Sequence, residues 1–235
     1  VTQFGRWANN TKRSELKSHL NSMSFAAIIV ASGSSQRMGF DKLAAQWRGK
    51  TILWHSVHAF SSLEEISQVI VVTPPDRFAW LADLGPKLNR VNGGRERSDS
   101  VAAGLMALKN EISHVAIHDG ARPLVSPESI RATFAAAEET KAASLARRVT
   151  ETLKRATPEG ITSESVSRDN LWVMETPQIF SRDLIHKAYQ SVSSGDTQIT
   201  DEVSALQLLN QGTTLVENPS PNPKITIKAD LDALP

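Results

Sequence analysis

The run Phe25-Ala26-Ala27-Ile28-Ile29-Val30-Ala31 contains no polar position. An apolar run of this length, ended by Ser-Gly-Ser-Ser, reads as a strand over residues 26–31 buried on both faces. From there the chain switches between two periodicities. Ile52, Leu53, Val57 and Phe60 fall on or near one face of a helix over residues 51–60. Residues 69–73 form a second apolar strand, stopped by Pro74-Pro75, and residues 77–84 read as helical. Arg90-Val91-Asn92 is a short strand entering Gly93-Gly94. Val101, Leu105 and Leu108 align along a helix over 98–108, residues 114–118 form a strand, and residues 127–139 form an alanine-rich helix. Alternation of this kind predicts an α/β fold: a mostly parallel sheet covered by helices on both faces. Right-handed crossovers then bring the carboxyl ends of the strands to one edge, where ligands bind.

The pattern breaks at residues 150–171. This stretch is polar, carries Pro158 and Gly160, and has short alternating runs on either side. It reads as a hairpin arm leaving the domain, and a lone hairpin needs something to pack on. Helical patterns return at 182–192 and 201–210, followed by short strands at 214–217 and 224–227. Residues 1–22 carry Arg6, Lys12, Arg13 and Lys17 against the single acid Glu15. They lack the apolar core of a signal peptide and read as leader or upstream sequence, with Met23 a natural start. Residues 23–235 are expected to form a single domain.

Composition narrows the chemistry. With 26 basic and 25 acidic residues in 235, bulk charge points neither to nucleic acid nor to an anionic membrane. Any basic site must be local. The absence of cysteine removes disulfides, thiolate metal sites and cysteine nucleophiles, and suits a reducing cytoplasm. The six histidines show no metal-ligand spacing; His55 and His58 share a helical face and read as packing.

Five clusters carry the candidate chemistry. The loop Ser32-Gly33-Ser34-Ser35-Gln36-Arg37-Met38-Gly39, closing with Lys42, follows the first strand. Small residues there let backbone N–H groups approach phosphate oxygens, and Arg37 and Lys42 add positive charge. Ser35 stands where a dinucleotide fingerprint needs its second glycine, and Phe40 follows Gly39 where a P-loop needs lysine. The remaining pattern is that of nucleotidyltransferases. Gly93-Gly94-Arg95-Glu96-Arg97-Ser98-Asp99-Ser100 joins a strand to a helix, with glycines permitting close backbone approach to a base. His118-Asp119-Gly120-Ala121-Arg122-Pro123 places a carboxylate suited to Mg²⁺ at a strand end, then a guanidinium suited to phosphate. Leu171 to Gln178 and Asn222-Pro223-Lys224-Ile225-Thr226 add polar groups beside strands.

In this order the clusters resemble the 2-C-methyl-D-erythritol 4-phosphate cytidylyltransferases, over about residues 26–231. The resemblance implies a Rossmann-like nucleotidyltransferase three-layer sandwich whose arm makes a homodimer. It implies transfer of CMP from CTP to methylerythritol phosphate in isoprenoid biosynthesis, with Mg²⁺ or another divalent cation. It also implies the site. Ala31, Ser32 and Gly33 line the triphosphate, with Arg37, Lys42 and Lys224 as the catalytic cations. Gly94, Arg97 and Ser100 hold cytosine and ribose, and Asp119 stands near the metal. Arg122, Thr152, Arg168 and Thr176 contact the acceptor, and Thr152 and Arg168 reach the neighbouring subunit's site. Ribitol 5-phosphate cytidylyltransferases share most of these clusters. The first loop alone is closer to molybdopterin nucleotidyltransferases, and a non-catalytic nucleotide-binding module on the same fold is a further alternative.

Overall fold

A computed structural model describes residues 24–33, 39–193 and 199–235; the residues before 24 and the loop positions 34–38, Arg37 among them, lie outside it. The first apolar run becomes strand β1 (Phe25–Val30), five of its six residues fully buried. Its neighbours are β4 (Ile66–Val72) and β6 (His114–Asp119), both parallel to it. Beyond β4 lies β5 (Leu88–Val91). On the other side of β6 come β10 (Trp172–Ser181), β7 (Ala142–Arg148) and β11 (Thr214–Glu217), completing a seven-stranded sheet. Strand β10 runs antiparallel to both of its partners, so it alone opposes the other strands of the sheet.

Alternate residues of β1 feed two separate cores, as strand geometry requires. Phe25, Ala27 and Ile29 pack with helices α1 (Ile52–Ser61) and α4 (Pro127–Thr140), through Leu53, Val57, Phe60, Ile130 and Phe134. Ala26 and Ile28 face α3 (Arg97–Met106), α5 (Arg182–Ser193) and α6 (Glu202–Gln207), through Val101, Leu105, Ile185 and Leu206. The result is three layers, helices–sheet–helices.

Some elements depart from the expectation. The helix expected over 77–84 is a short α2 (Pro75–Ala79) followed by a separate 3₁₀ turn, Ala82–Leu84. Pro75 at its first position starts it two residues early, because a missing N–H costs nothing there. Residues 224–227 join no ladder; Ile225 N–H donates to the Ala121 carbonyl instead, and a last short helix, α7, covers Lys228–Asp232. A minor ribbon, β2 (Gln46–Trp47) with β3 (Lys50–Thr51), precedes α1.

The arm forms as a hairpin, β8 (Leu153–Ala156) with β9 (Thr162–Val166). Gly160 takes φ 83°, a left-handed turn conformation that glycine adopts without penalty. Nearly every arm residue is exposed; only Leu153 and Val166 are half-buried.

Candidate active site

Sheet order reverses at β1: the chain runs β1, β4, β5 outward, then crosses back through α3 to β6 on the opposite side. Such a switch point opens a crevice beyond the strands' carboxyl ends. A cleft of about 550 Å³ lies there, lined from β1 by Ala31, Ser32 and Gly33, from β6 by Asp119, and by Lys42 and Lys224. Gly94 and Arg97, at the start of α3, close another wall. A helix N-terminus aimed at the cleft favours an anion through its free N–H groups and its dipole.

Asp119 is the electrostatic centre. Its side chain is 10% exposed, and Lys224 Nζ lies 2.9 Å from its Oδ2. Arg97 Nε is 3.4 Å from Oδ1 and Arg122 Nε 3.6 Å from Oδ2. Burial alone would push the Asp119 carboxyl up; Lys224, then Arg97 and Arg122, outweigh it and hold the group well below the ordinary carboxylate range. Asp119 is therefore an anion at any working pH.

The two lysines converge through one short segment. Lys42 Nζ donates to the Ile225 carbonyl at 2.7 Å, next to Lys224 in the chain. That segment is pinned from three directions. Asn222 Nδ2 donates to the Thr176 carbonyl at 2.9 Å, Arg122 Nη1 donates to the Asn222 carbonyl at 2.7 Å, and Ile225 is fully buried. Sequence separation between Lys42 and Ile225 is 183 residues, so only the fold could bring these cations together.

Several expected site residues support the cleft from behind. Thr176 Oγ1 accepts the Asp119 backbone N–H at 3.1 Å and lies 3.0 Å from His118 Nδ1. The Arg122 carbonyl can only accept, so His118 Nε2–H donates to it at 3.1 Å, and in the neutral ring Nδ1 is then the acceptor of the Thr176 hydroxyl proton. Burial pushes the His118 imidazole down to about 4, so the ring is neutral and this chain of bonds holds at assay pH. Ser100 donates to the Glu96 carbonyl and accepts from Gly94 N–H, with Ser32 Oγ at 2.9 Å. It ties the β1 loop to the start of α3. Gly93 is required by that tie: a Cβ there would lie 2.3 Å from Ser32 Cβ. Gly94 lacks room for another reason, with Asp99 Cβ only 2.2 Å from where its own Cβ would stand.

Thr152 and Arg168 are on the arm, exposed and away from this cleft; Arg168 donates to the Thr150 carbonyl at the arm's base. Arg37 falls outside the described residues.

Glu202 is the main residue that sequence reading passed over. Fully buried, it forks onto Arg97 with Oε1 2.6 Å from Nη1 and Oε2 3.0 Å from Nη2, and Tyr189 Oη donates to it at 3.0 Å. At the start of α6 it looks like an ordinary first-turn acid; its partner is 105 residues away. Glu202→Ala should cost about 3 kcal/mol, the low end for stranding one member of a buried pair, because Arg97 keeps some access to water. Urea unfolding checks this, and a loss under about 1 kcal/mol would mean that the guanidinium rehydrates freely.

Comparison with known proteins agrees with this geometry. A family model described as 2-C-methyl-D-erythritol 4-phosphate cytidylyltransferase matches residues 25–234. The enzyme of that name from Caldanaerobacter subterraneus is 35% identical over 222 residues, covering 89% of this chain and 96% of the relative. That from Pseudoalteromonas atlantica is 37% identical over 213 residues, covering 88% and 92%. Among solved structures, the Anaerococcus prevotii 4-diphosphocytidyl-2C-methyl-D-erythritol synthase superposes with a TM-score of 0.80 at 26% identity, covering 92% of this chain and 96% of that one. The Francisella tularensis cytidylyltransferase gives 0.78 at 30% identity, covering 89% and 97%. With the cleft at the switch point, its paired lysines and a match spanning nearly every described residue, the chain belongs to the 2-C-methyl-D-erythritol 4-phosphate cytidylyltransferase family.

Proposed function

We propose that the protein transfers CMP from CTP to 2-C-methyl-D-erythritol 4-phosphate, releasing pyrophosphate. The observation that carries this reading is the convergence of Lys42 and Lys224 on one pinned segment beside Asp119, at the mouth of the β1/β6 crevice. The acceptor is a phosphate monoester, whose second ionisation falls near pH 6, so it reaches the site as an anion and needs no strong base. One of its oxygens forms the new bond to the α-phosphorus while the bond to the bridging oxygen of pyrophosphate breaks. The barrier lies in bringing two polyanions together and in the charge spread over the transferring group. Backbone donors after β1 and the start of α3 hold the triphosphate, and Lys42 and Lys224 stabilise charge on the phosphorus as it transfers. Arg97 orients the ribose end; Arg122 serves the acceptor's phosphate.

Asp119 suits a divalent cation. It is one ionised oxygen donor facing the cleft, and among the described residues no group of three His, Asp or Glu side chains comes together. Mg²⁺ is bound in this way, by one or two carboxylates with substrate phosphates and water. Asp119 would hold it, and the ion would supply further charge neutralisation at the phosphates. Among the described residues no helix is long and apolar enough to cross a membrane.

The direct test supplies Mg²⁺, the acceptor and each nucleoside triphosphate in turn, reading pyrophosphate release and product mass. CTP should be used at least about a hundredfold better than GTP, because a site built for one base's polar edge leaves groups unpaired with another. Turnover of GTP with a molybdopterin acceptor, or of ribitol 5-phosphate in preference to methylerythritol phosphate, would overturn the assignment.

A further inference from the structure

Arg77, on the short helix after β4, is a cation that the reaction above does not use. It is only 7% exposed, and its guanidinium is occupied on three sides. Nη1 donates to the Ala31 carbonyl at 2.6 Å, Nη2 to the Gly33 carbonyl at 3.1 Å, and Nε to Asp41 Oδ2 at 2.7 Å. Ala31 and Gly33 open the loop after β1; Asp41 closes it. We propose that Arg77 is a positioning residue for the two ends of this phosphate-binding loop, holding Ala31 and Gly33 on one side and Asp41 on the other so that the Ser32 N–H faces the cleft and Lys42 stands over it. The proposal rests on the CTP reading above.

Peptide geometry explains the first half. In a trans peptide the C=O and the following N–H point in opposite directions. The Ala31 carbonyl is drawn toward β4 by Arg77 and by Thr73 Oγ1 at 3.3 Å, so the Ser32 N–H is turned the other way, toward β6 and the cleft. Without those donors, the carbonyl oxygen could rotate toward the triphosphate, where its partial charge would repel. The second half follows from Asp41. One carboxylate oxygen takes Arg77, while the other accepts Leu43 N–H at 3.1 Å. Lys42 is therefore held between two fixed residues, its side chain directed to the Ile225 carbonyl. A planar fork with donors in three directions can do this; an ammonium on a flexible stem cannot.

The test compares wild type, Arg77→Lys and Asp41→Asn by calorimetry with CTP, by steady-state kinetics and by hydrogen exchange. Arg77→Lys should weaken CTP binding about tenfold while the KM for the acceptor moves less than about twofold, since the fork on the Ala31 and Gly33 carbonyls is lost where the loop meets the triphosphate and the acceptor end of the cleft is untouched. Asp41→Asn leaves the carbonyl contacts in place and should lower kcat about fivefold through Lys42, with CTP affinity nearly unchanged. Exchange at the Ala31 amide, bonded to the Val72 carbonyl at 2.9 Å, and at the Leu43 amide, bonded to Asp41 at 3.1 Å, should be faster in Arg77→Lys than in wild type with no nucleotide present. That measurement reads the clamp even if wild type failed to bind CTP, a result that would sink the substrate assignment instead. Unchanged exchange and unchanged CTP affinity in folded Arg77→Lys would overturn the clamp. If Arg77→Lys does not fold, an unaltered kcat in Asp41→Asn would do so.

Discussion

Lys224→Ala is expected to lower kcat by two to three orders of magnitude, roughly the effect of removing one preorganised donor from a developing negative charge, while the protein stays folded. Lys224 is 42% exposed and makes its ion pair at the surface of the cleft, so its truncation opens no cavity in either core. Asp119 keeps Arg97 and Arg122 as partners and stays ionised, although removing Lys224 takes away the strongest influence holding its carboxyl down. CTP binding should fall much less than turnover, because a charge that matters most in the transition state is felt in kcat before it is felt in affinity. Pyrophosphate release under saturating CTP, with circular dichroism as a control for folding, decides the matter. A kcat within about fivefold of wild type would remove Lys224 from the chemistry.

The second large effect concerns the arm. Thr152 and Arg168 project on a hairpin whose residues are almost all in solvent, and Ile161 at its tip is 66% exposed. A two-stranded ribbon is marginal alone. In the homodimer proposed from the family resemblance, the arm lies on the second chain and delivers Arg168 to its cleft. Lys42→Ala and Arg168→Ala homodimers should each be nearly inactive. When the two are unfolded together and refolded at equal concentrations, activity should return to about a quarter of wild type. Half the dimers are then mixed, and one of the two sites in each mixed dimer is intact. Mixed dimers detected by native mass spectrometry with no recovered activity would show that Arg168 serves its own chain.

How much of this was legible beforehand depends on the range of the interaction. Strand β1 announces itself because both of its faces are buried, and α1 because its apolar residues repeat at helical spacing. The β1 loop, the start of α3 and the end of β6 are local motifs, and they converge where switch-point topology requires. Strand β7 was missed. Its sequence Ala-Ala-Ser-Leu-Ala-Arg-Arg lacks the β-branched and aromatic residues that mark strands, and it is a strand because two neighbours pair with it. The segment at Lys224 alternates as a strand does; side chains from Lys42 and Asn222 hold it in place without a ladder. Arg77 and Glu202 were invisible as site residues for one shared reason. Each carries the charge its helix end ordinarily takes, Arg77 in the last turn of α2 and Glu202 in the first turn of α6, and what makes it unusual is burial against partners 46 and 105 residues away.

Strands β7 and β10 are hydrogen-bonded neighbours, with Arg148 opposite Trp172 where the arm leaves and returns. The arm is thus a separate hairpin that springs from the end of an existing strand pair rather than a loop thrown between distant elements. Its two ends are already held at strand spacing, so lengthening, shortening or replacing it adds almost no closure entropy to folding. The sheet can therefore carry a foreign hairpin at this point. On the acceptor contacts that the family resemblance implies for Thr152 and Arg168, part of acceptor preference would travel with that hairpin as a cassette of about twenty residues, while the triphosphate end of the cleft keeps its own geometry.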